Sequence, residues 1–163
     1  ERVLVKNPMI KSAQVYYSLD GYIHVNIQQR EPVLRVLTGE GYYVDRDGRV
    51  MPLSSKFTSR VVVATGDINK KFACEKLGPF AMKLKNEPFW DAYIEQLVVR
   101  SNEDVVMIPK VGDFRIVLGK VDDCEARLEK LMLFLKDGIT KKGWNRYKEI
   151  NLKFDNQVVC VRK

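Results

Sequence analysis

Residues 151–161, which are followed by Arg162 and Lys163, constrain the fold more than any other stretch. The stretch is rich in β-branched and aromatic residues, which favour strands, while Asp155-Asn156 indicates a turn or bulge inside it. We expect a chain that finishes on a strand to leave that strand near a sheet edge, where unpaired backbone groups can accept another strand. The stretch therefore predicts a docking surface. An ordinary last strand, covered by its own domain, is the alternative that the residues leave open.

The composition is that of a folded chain, with 45% hydrophobic and 30% charged residues among 163. A chain of this length can bury a core in one domain or slightly more. The sequence has no run of about 18 apolar residues, and no signal-peptide pattern begins at Glu1. Residues 1–6 are typical of the last turns of a helix, so we expect a fragment of a longer protein whose upstream part can include a membrane anchor.

The formal net charge of +7 favours a partner of opposite sign, such as nucleic acid or the anionic headgroups of a membrane. The lysines and arginines are scattered, however, and no run of them is longer than two. Most tyrosines and phenylalanines fall into alternating or helical patterns, which indicates core packing rather than the stacking of bases. The charge therefore favours a solvated basic surface over a nucleic-acid-binding site.

Residues that carry enzyme chemistry are few. The single histidine, His24, falls on the polar face of an alternating stretch, without a second imidazole for a metal site. Cys74, Cys124 and Cys160 are far apart and have no zinc-ligand spacing. The sequence contains no phosphate loop, dinucleotide fingerprint or nucleophile elbow. It therefore favours a protein that is not an enzyme and binds no metal or cofactor, and an unfamiliar carboxylate site is the alternative left open.

The first third of the chain predicts two hairpins. Residues 13–17 and 22–28 flank Asp20-Gly21, a strong hairpin signal, and apolar residues alternate with polar ones in the second arm. This alternation predicts one buried face and one face in water. A second hairpin is expected around the acidic turn at residues 45–48.

Helical patterns occupy the middle of the chain. The first covers residues 69–85, where Gly78-Pro79 is expected to break or kink the helix. The second covers residues 86–97, in which apolar side chains recur at helical spacing.

Strands dominate the remainder. Residues 97–100, 105–109 and 114–118 predict strands, and a helix that carries Leu128 and Leu131 precedes the last strand. The fold class that follows is α+β: a hairpin module, then a mostly antiparallel β part with about three helices.

The order and spacing of several stretches resemble the periplasmic part of the FtsQ/DivIB cell-division family. Residues 7–15, the first hairpin and residues 29–33 are similar to the second half of that family's POTRA module. Residues 43–50 resemble the opening of its β domain, and residues 114–120 with the following helix resemble its unit of strand, Leu-Gly and helix. Residues 149–156 are similar to the family's terminal Asp-Leu-Arg-Tyr pattern.

The sequence also departs from the family. In the terminal pattern Asn151 replaces the usual acid, Lys153 the arginine and Phe154 the tyrosine. The first strand and first helix of POTRA and the transmembrane anchor are not in the sequence, which we expect of a fragment.

The resemblance implies an organisation and a function. Residues 1–36 would be the C-terminal part of a POTRA-like module, and residues 37–163 an FtsQ-type β domain. The implied function is that of a non-enzymatic division scaffold at the septum, on the periplasmic side of the inner membrane and anchored through an upstream segment. The implied partners are FtsB-like and FtsL-like coiled-coil division proteins and other divisome components, with no nucleic acid.

The resemblance and the strand pattern place partner binding along the C-terminal edge, by strand addition. The residues expected to bind there are Lys153, Phe154, Asn156, Gln157, Val158, Val159, Val161 and Arg162. Backbone hydrogen bonds would set the register, and alternate side chains would set the specificity. Two other functions stay open: a POTRA-bearing module of outer-membrane assembly or secretion, and a basic nucleic-acid-binding domain.

Overall fold

The computed structural model describes residues 1–54, 58–139 and 146–163. Within them the chain forms a small hairpin and one large mixed sheet, and helices pack against one face of that sheet. The α+β class predicted from the sequence is confirmed. Among the helices of the described residues, none combines the length and the hydrophobicity that crossing a membrane requires.

The first part of the chain forms a short helix and a hairpin: α1 (Arg2–Val5), β1 (Ile10–Tyr17) and β2 (Ile23–Gln29). The strands pair antiparallel around the Asp20-Gly21 turn, with Val15 opposite Val25, so the predicted hairpin is confirmed. The expected buried face is wrong, because every residue of β2 is exposed. The short helix α1 lies beside β1, where Ala13 is buried and the Val15 N–H donates to Glu1 Oε1 at 2.9 Å, but Ile23, Val25 and Ile27 of β2 remain exposed.

Nine strands of the described residues form the main sheet: β3 (Pro32–Val36), β4 (Tyr42–Asp45), β5 (Val50–Pro52), β6 (Val62–Gly66), β7 (Ile94–Arg100), β8 (Asp104–Pro109), β9 (Arg115–Gly119), β10 (Tyr147–Asn151) and β11 (Val159–Arg162). Their order across the sheet is β11-β10-β9-β8-β7-β6-β3-β4-β5. The pairs β3–β6, β6–β7 and β9–β10 are parallel, and the other neighbours are antiparallel. A mostly antiparallel sheet is therefore confirmed.

Helical segments link β6 to β7 and β9 to β10, because two adjacent parallel strands cannot be joined by a tight turn. The segments are α2 (Lys70–Phe72), a π-helical turn (Ala73–Leu77), α3 (Gly78–Asn86), α4 (Pro88–Tyr93), α5 (Glu125–Leu133) and a second π-helical turn (Phe134–Ile139). Asn69 caps the first of them, since its Oδ1 accepts the Phe72 N–H at 2.8 Å.

The core lies between these helices and the sheet. One row of paired residues crosses five strands, and each member is fully buried: Ala64, Leu97, Met107, Ile116 and Ile150. Apolar side chains of α3 and α5, including Leu84 and Leu131, belong to the same cluster. This row fixes which face of every strand from β6 to β10 points towards the helices.

The helix over residues 70–86 continues through Gly78-Pro79, where the sequence predicted a break or kink. The π-helical turn lies directly before this dipeptide. Proline has no N–H to donate to the carbonyl four residues earlier, and its ring crowds that carbonyl. The wider π spacing accommodates the proline without ending the helix.

The helix predicted over residues 86–97 is wrong in its second half. α4 ends at Tyr93, and Ile94 begins β7. A bulge between Ile94 and Gln96 shifts the register, so that Ile94 and Leu97 both point into the core. Two buried residues three positions apart imitate helical spacing, although a bulged strand produces the same pattern.

The single strand predicted over residues 151–161 is a hairpin. Asn151 ends β10, the chain reverses at Asp155-Asn156, and β11 begins at Val159. Asn156 has a φ of +57°, a left-handed conformation that asparagine adopts more readily than most residues. Asp155-Asn156 therefore forms a turn between two strands and not a bulge within one strand.

An ion pair buried between the first hairpin and the main sheet joins the two. Arg30, directly after β2, contacts Asp45 at 2.7 Å, and their side chains are only 9% and 2% exposed. The other oxygen of Asp45 accepts the backbone N–H groups of Asp47 at 2.9 Å and Arg49 at 2.7 Å. Asp45 therefore closes the β4–β5 turn and holds the hairpin against the sheet. Beside it, Lys11 forms an exposed ion pair with Asp47 at 2.9 Å.

We expect Asp45→Ala to lower the free energy of unfolding by about 3 to 5 kcal/mol, because it removes the nearer counter-charge of the buried Arg30 guanidinium, leaving only the more exposed Asp47 at 3.8 Å, and also removes the acceptor of two backbone N–H groups. The control is Lys11→Ala, which breaks only the exposed pair and should change the free energy by about 1 kcal/mol or less. Urea unfolding followed by circular dichroism measures both. Equal, small effects of the two substitutions would show that the Arg30–Asp45 pair does not hold this junction.

Candidate functional site: the β11 edge

The strand β11 lies at one end of the main sheet. It pairs antiparallel with β10, with Cys160 opposite Ile150 and Val161 opposite Glu149, and no strand of the described residues pairs with its other side. The opposite end of the sheet is β5, which spans three residues and ends on Pro52. Proline removes a backbone donor and is a common means of blunting an edge. Of the two edges, β11 is therefore the better suited to accept a further strand.

The backbone of β11 divides its hydrogen-bonding groups between the two sides. The Lys163 N–H donates at 3.2 Å to the carbonyl of Arg146, the residue before β10. Successive residues of a strand point their N–H groups to opposite sides, so Val161 also directs its N–H towards β10. Cys160 and Arg162 direct theirs to the outer side, where an added strand would receive them.

The hairpin of β10 and β11 is attached to the sheet through the parallel pair of β9 and β10. Ile150 pairs with Ile116, and the Leu152 N–H donates to the Val117 carbonyl at 2.9 Å. The side chains of Ile150 and Leu152 are buried beneath α5 in the core cluster. The position of β11 thus follows from the packing of its neighbour.

The two faces of β11 differ. Cys160 points towards the core and is half-buried, and burial raises the pKa of its thiol, which therefore stays protonated at neutral pH. Val159 and Val161 lie on the other face, where they are 37% and 48% exposed. The exposed face is apolar, as a surface that packs against a partner's side chains would be.

The connection from residue 152 to residue 158 is held by side chains on both sides. Lys130 of α5 donates to the carbonyls of Leu152 at 3.2 Å and Phe154 at 2.6 Å. The Lys153 N–H donates to Asn151 Oδ1 at 3.0 Å, and its ammonium forms an ion pair with Asp104 at 2.6 Å. Phe154 itself is 47% exposed.

The structure divides the predicted site residues between the strand and the connection. Val159, Val161 and Arg162 lie on β11, whereas the others lie in the connection: Lys153, Phe154, Asn156, Gln157 and Val158. Val158 is half-buried against the core. The edge available for backbone pairing is therefore Val159–Arg162, shorter than the stretch from Lys153 to Arg162 over which the sequence placed partner binding.

Sequence reasoning missed two residues of this site, Lys130 and Asp104. Lys130 is 22 positions from Leu152, and Asp104 is 49 positions from Lys153. Both lie in segments whose local pattern indicates only a helix or the start of a strand. No periodicity could have linked them to the connection.

A groove of about 650 Å³ lies between α3, α4 and the start of β6. Its lining includes Trp90, Glu95 and two lysines. The lysines donate to backbone carbonyls, Lys85 to Pro32 at 3.4 Å and Lys110 to Asp91 at 3.2 Å. These contacts tie both lysines to the backbone, and the lining also holds the carboxylates of Asp91 and Glu95.

The fold and this edge define an α+β domain whose main sheet ends on an edge strand. A family model described as FtsQ/DivIB, C-terminal related, matches residues 31–161, from just before β3 into β11. The match covers most of the chain, so the protein belongs to the FtsQ/DivIB, C-terminal related family, and the family predicted from the sequence is confirmed. This membership associates the protein with cell division. No curated protein matches the chain.

Proposed function

We propose that the protein is a non-enzymatic scaffold of the bacterial divisome, which binds FtsB-like and FtsL-like division proteins by strand addition to β11. The observation that carries this proposal is the outer side of β11, which is unpaired among the described residues in a chain of a cell-division family. Strand addition uses such an edge, because main-chain hydrogen bonds supply affinity and side chains in alternate positions supply specificity.

The chemistry of the edge supports this mode of binding. Cys160 and Arg162 would donate their outward N–H groups to the added strand. Val159 and Val161 would pack against its apolar side chains, since both are exposed on the same face. Phe154 would form an aromatic anchor at the start of the edge, as partly exposed rings often do in protein interfaces.

The proposal includes the cellular location and the domain organisation of the protein. This region would lie on the periplasmic side of the inner membrane, at the septum, with a segment upstream as the single-pass anchor. The first hairpin would belong to a POTRA-like module. The pairing of β3 with β4 and β6 favours a boundary of that module before Pro32, rather than at Val36 as the sequence suggested.

The other two functions drawn from the sequence gain no specific support in the described residues. A POTRA-bearing module of outer-membrane assembly or secretion is less compatible with the matched family. A nucleic-acid-binding domain would need a continuous basic face. Several exposed lysines instead pair with carboxylates: Lys11 with Asp47, Lys76 with Asp122, Lys83 with Glu125, Lys153 with Asp104 and Lys163 with Asp113.

The backbone contribution is tested by Arg162→Pro, compared with Arg162→Ala. Proline removes the outward N–H of residue 162, whereas alanine removes the side chain and keeps the N–H. We expect the proline to weaken binding of the soluble periplasmic segment of the same organism's FtsB-like protein at least tenfold more than the alanine, about 1.4 kcal/mol in binding free energy. Calorimetry measures the affinities, and thermal unfolding verifies that both variants fold. Equal affinities of the two folded variants would refute pairing at this edge.

The side-chain contribution is tested by Phe154→Ala. We expect it to weaken the same complex by roughly 1 to 3 kcal/mol, as truncation of an aromatic anchor does. The control is Phe89→Ala, because Phe89 is similarly exposed, at 41% against 47%, but lies on α4 away from the β11 edge. If both substitutions leave the affinity measured by calorimetry unchanged, Phe154 is not part of the site.

A further inference from the structure

The ammonium group of Lys130 is directed at backbone carbonyls and not at a carboxylate. It donates to the carbonyl oxygens of Leu152 and Phe154, at 3.2 and 2.6 Å, and no ion pair of this residue occurs among the described residues. Hydrogen bonds from a charged donor are shorter and stronger than those between neutral groups. Lys130 therefore fixes the path of the main chain on both sides of residue 153.

We propose that Lys130 is a positioning residue of the β11 edge, which holds Phe154 outward and starts β11 at a fixed point. This inference rests on the proposed function of the edge as a partner-binding site. Lys130 acts through the backbone, since its ammonium is bonded to two carbonyls of the connection. Its role is to keep the connection in the conformation that a partner meets, so that binding does not have to order it.

Lys130 bonds to the backbone of the connection, whereas the ammonium of Lys153 contacts a side chain, so the two lysines have different roles. The ion pair of Lys153 with Asp104 is partly exposed on both sides and fixes the Lys153 side chain, which lies over Gly119. Exposed pairs of this kind contribute little on their own. Asn151 accepts the Lys153 N–H, and Lys130 donates to the carbonyls of Leu152 and Phe154 on either side of it.

The position of α5 also explains why a lysine is needed here. Lys130 belongs to the same helix as Leu128 and Leu131, which are buried against the sheet that carries Ile150. The helix is therefore fixed by its apolar side, and the long side chain of Lys130 extends from it to the connection. A shorter neutral side chain at this position would leave both carbonyls to solvent.

The test uses three variants of the full chain: Lys130→Gln, Lys130→Arg and the control Glu129→Gln. Glu129 is exposed on the same helix and has no role in the site. We expect Lys130→Gln to weaken binding of the FtsB-like segment roughly tenfold, Lys130→Arg to retain most of the affinity, and Glu129→Gln to match the wild type. Calorimetry gives the affinities.

A double-mutant cycle separates positioning from general stability. In the Phe154→Ala background, Lys130→Gln should lose most of its effect on affinity, because the ring that it positions is absent. Additive effects, or a wild-type affinity for Lys130→Gln, would overturn the proposal. Thermal unfolding of each variant accompanies the cycle, because a purely structural role would lower the midpoint and leave the effects additive.

NMR of the free protein tests the positioning role of Lys130 without a partner, and so separately from partner binding at β11. In ¹H–¹⁵N NMR spectra of the free protein, Lys130→Gln should shift the amide signals of residues 153–159, and Glu129→Gln should not. If the wild type binds no FtsB-like segment but these signals shift, the proposed partner is wrong and the positioning role stands. Unshifted signals in Lys130→Gln would refute the positioning role, whatever the wild type binds.

Discussion

The parallel pairing of β9 with β10 beneath α5 is the constraint on which the β11 edge depends. β11 is joined to the main sheet through β10, and β10 is held by the burial of Ile150 and Leu152. Because side chains alternate along a strand, burying Ile150 determines that Val159 and Val161 lie on the face turned away from the helices. The core thus sets both the position and the orientation of the candidate site.

The two edge strands of the main sheet, β5 and β11, have different surroundings. At the β5 end, the buried pair of Arg30 and Asp45 attaches the first hairpin and closes the adjoining turn, and Pro52 ends the edge strand. At the β11 end, charged side chains hold the connection, but the strand itself keeps an outer side that is unpaired within the described residues. Contacts within the chain therefore occupy the β5 end, whereas the outer side of β11 is the edge on which the proposed strand addition depends.

Local signals carried most of what the sequence could predict. The hairpin at Asp20-Gly21, the α+β class and the strands from β7 to β9 follow from turn chemistry and periodicity, and the order of short motifs identified the family. The predictions failed where one pattern has two structural origins. The bulge near Gln96 imitated a helix, and the turn at Asp155-Asn156 was compatible with a bulge as well as with a hairpin.

The site itself was only partly predictable, because its supports are distant in sequence. The β-branched and aromatic residues identified the strand, but the contacts of Lys130 and Asp104 with the connection exist only in three dimensions. The exposed face of β2 has a related explanation. Alternation predicts that a face is suited to burial, but burial also requires an element that packs on that face, and the short α1 beside β1 leaves every residue of β2 exposed.

Amide hydrogen exchange of β11, measured with and without the FtsB-like segment, tests the central claim most directly. In the free protein the amide protons of Cys160 and Arg162 should exchange fast, because they point away from β10, while that of Val161 is protected. Addition of the segment should protect Cys160 and Arg162 and leave Val161 unchanged. Binding that protects a different region, with Cys160 and Arg162 still exchanging fast, would contradict strand addition at β11.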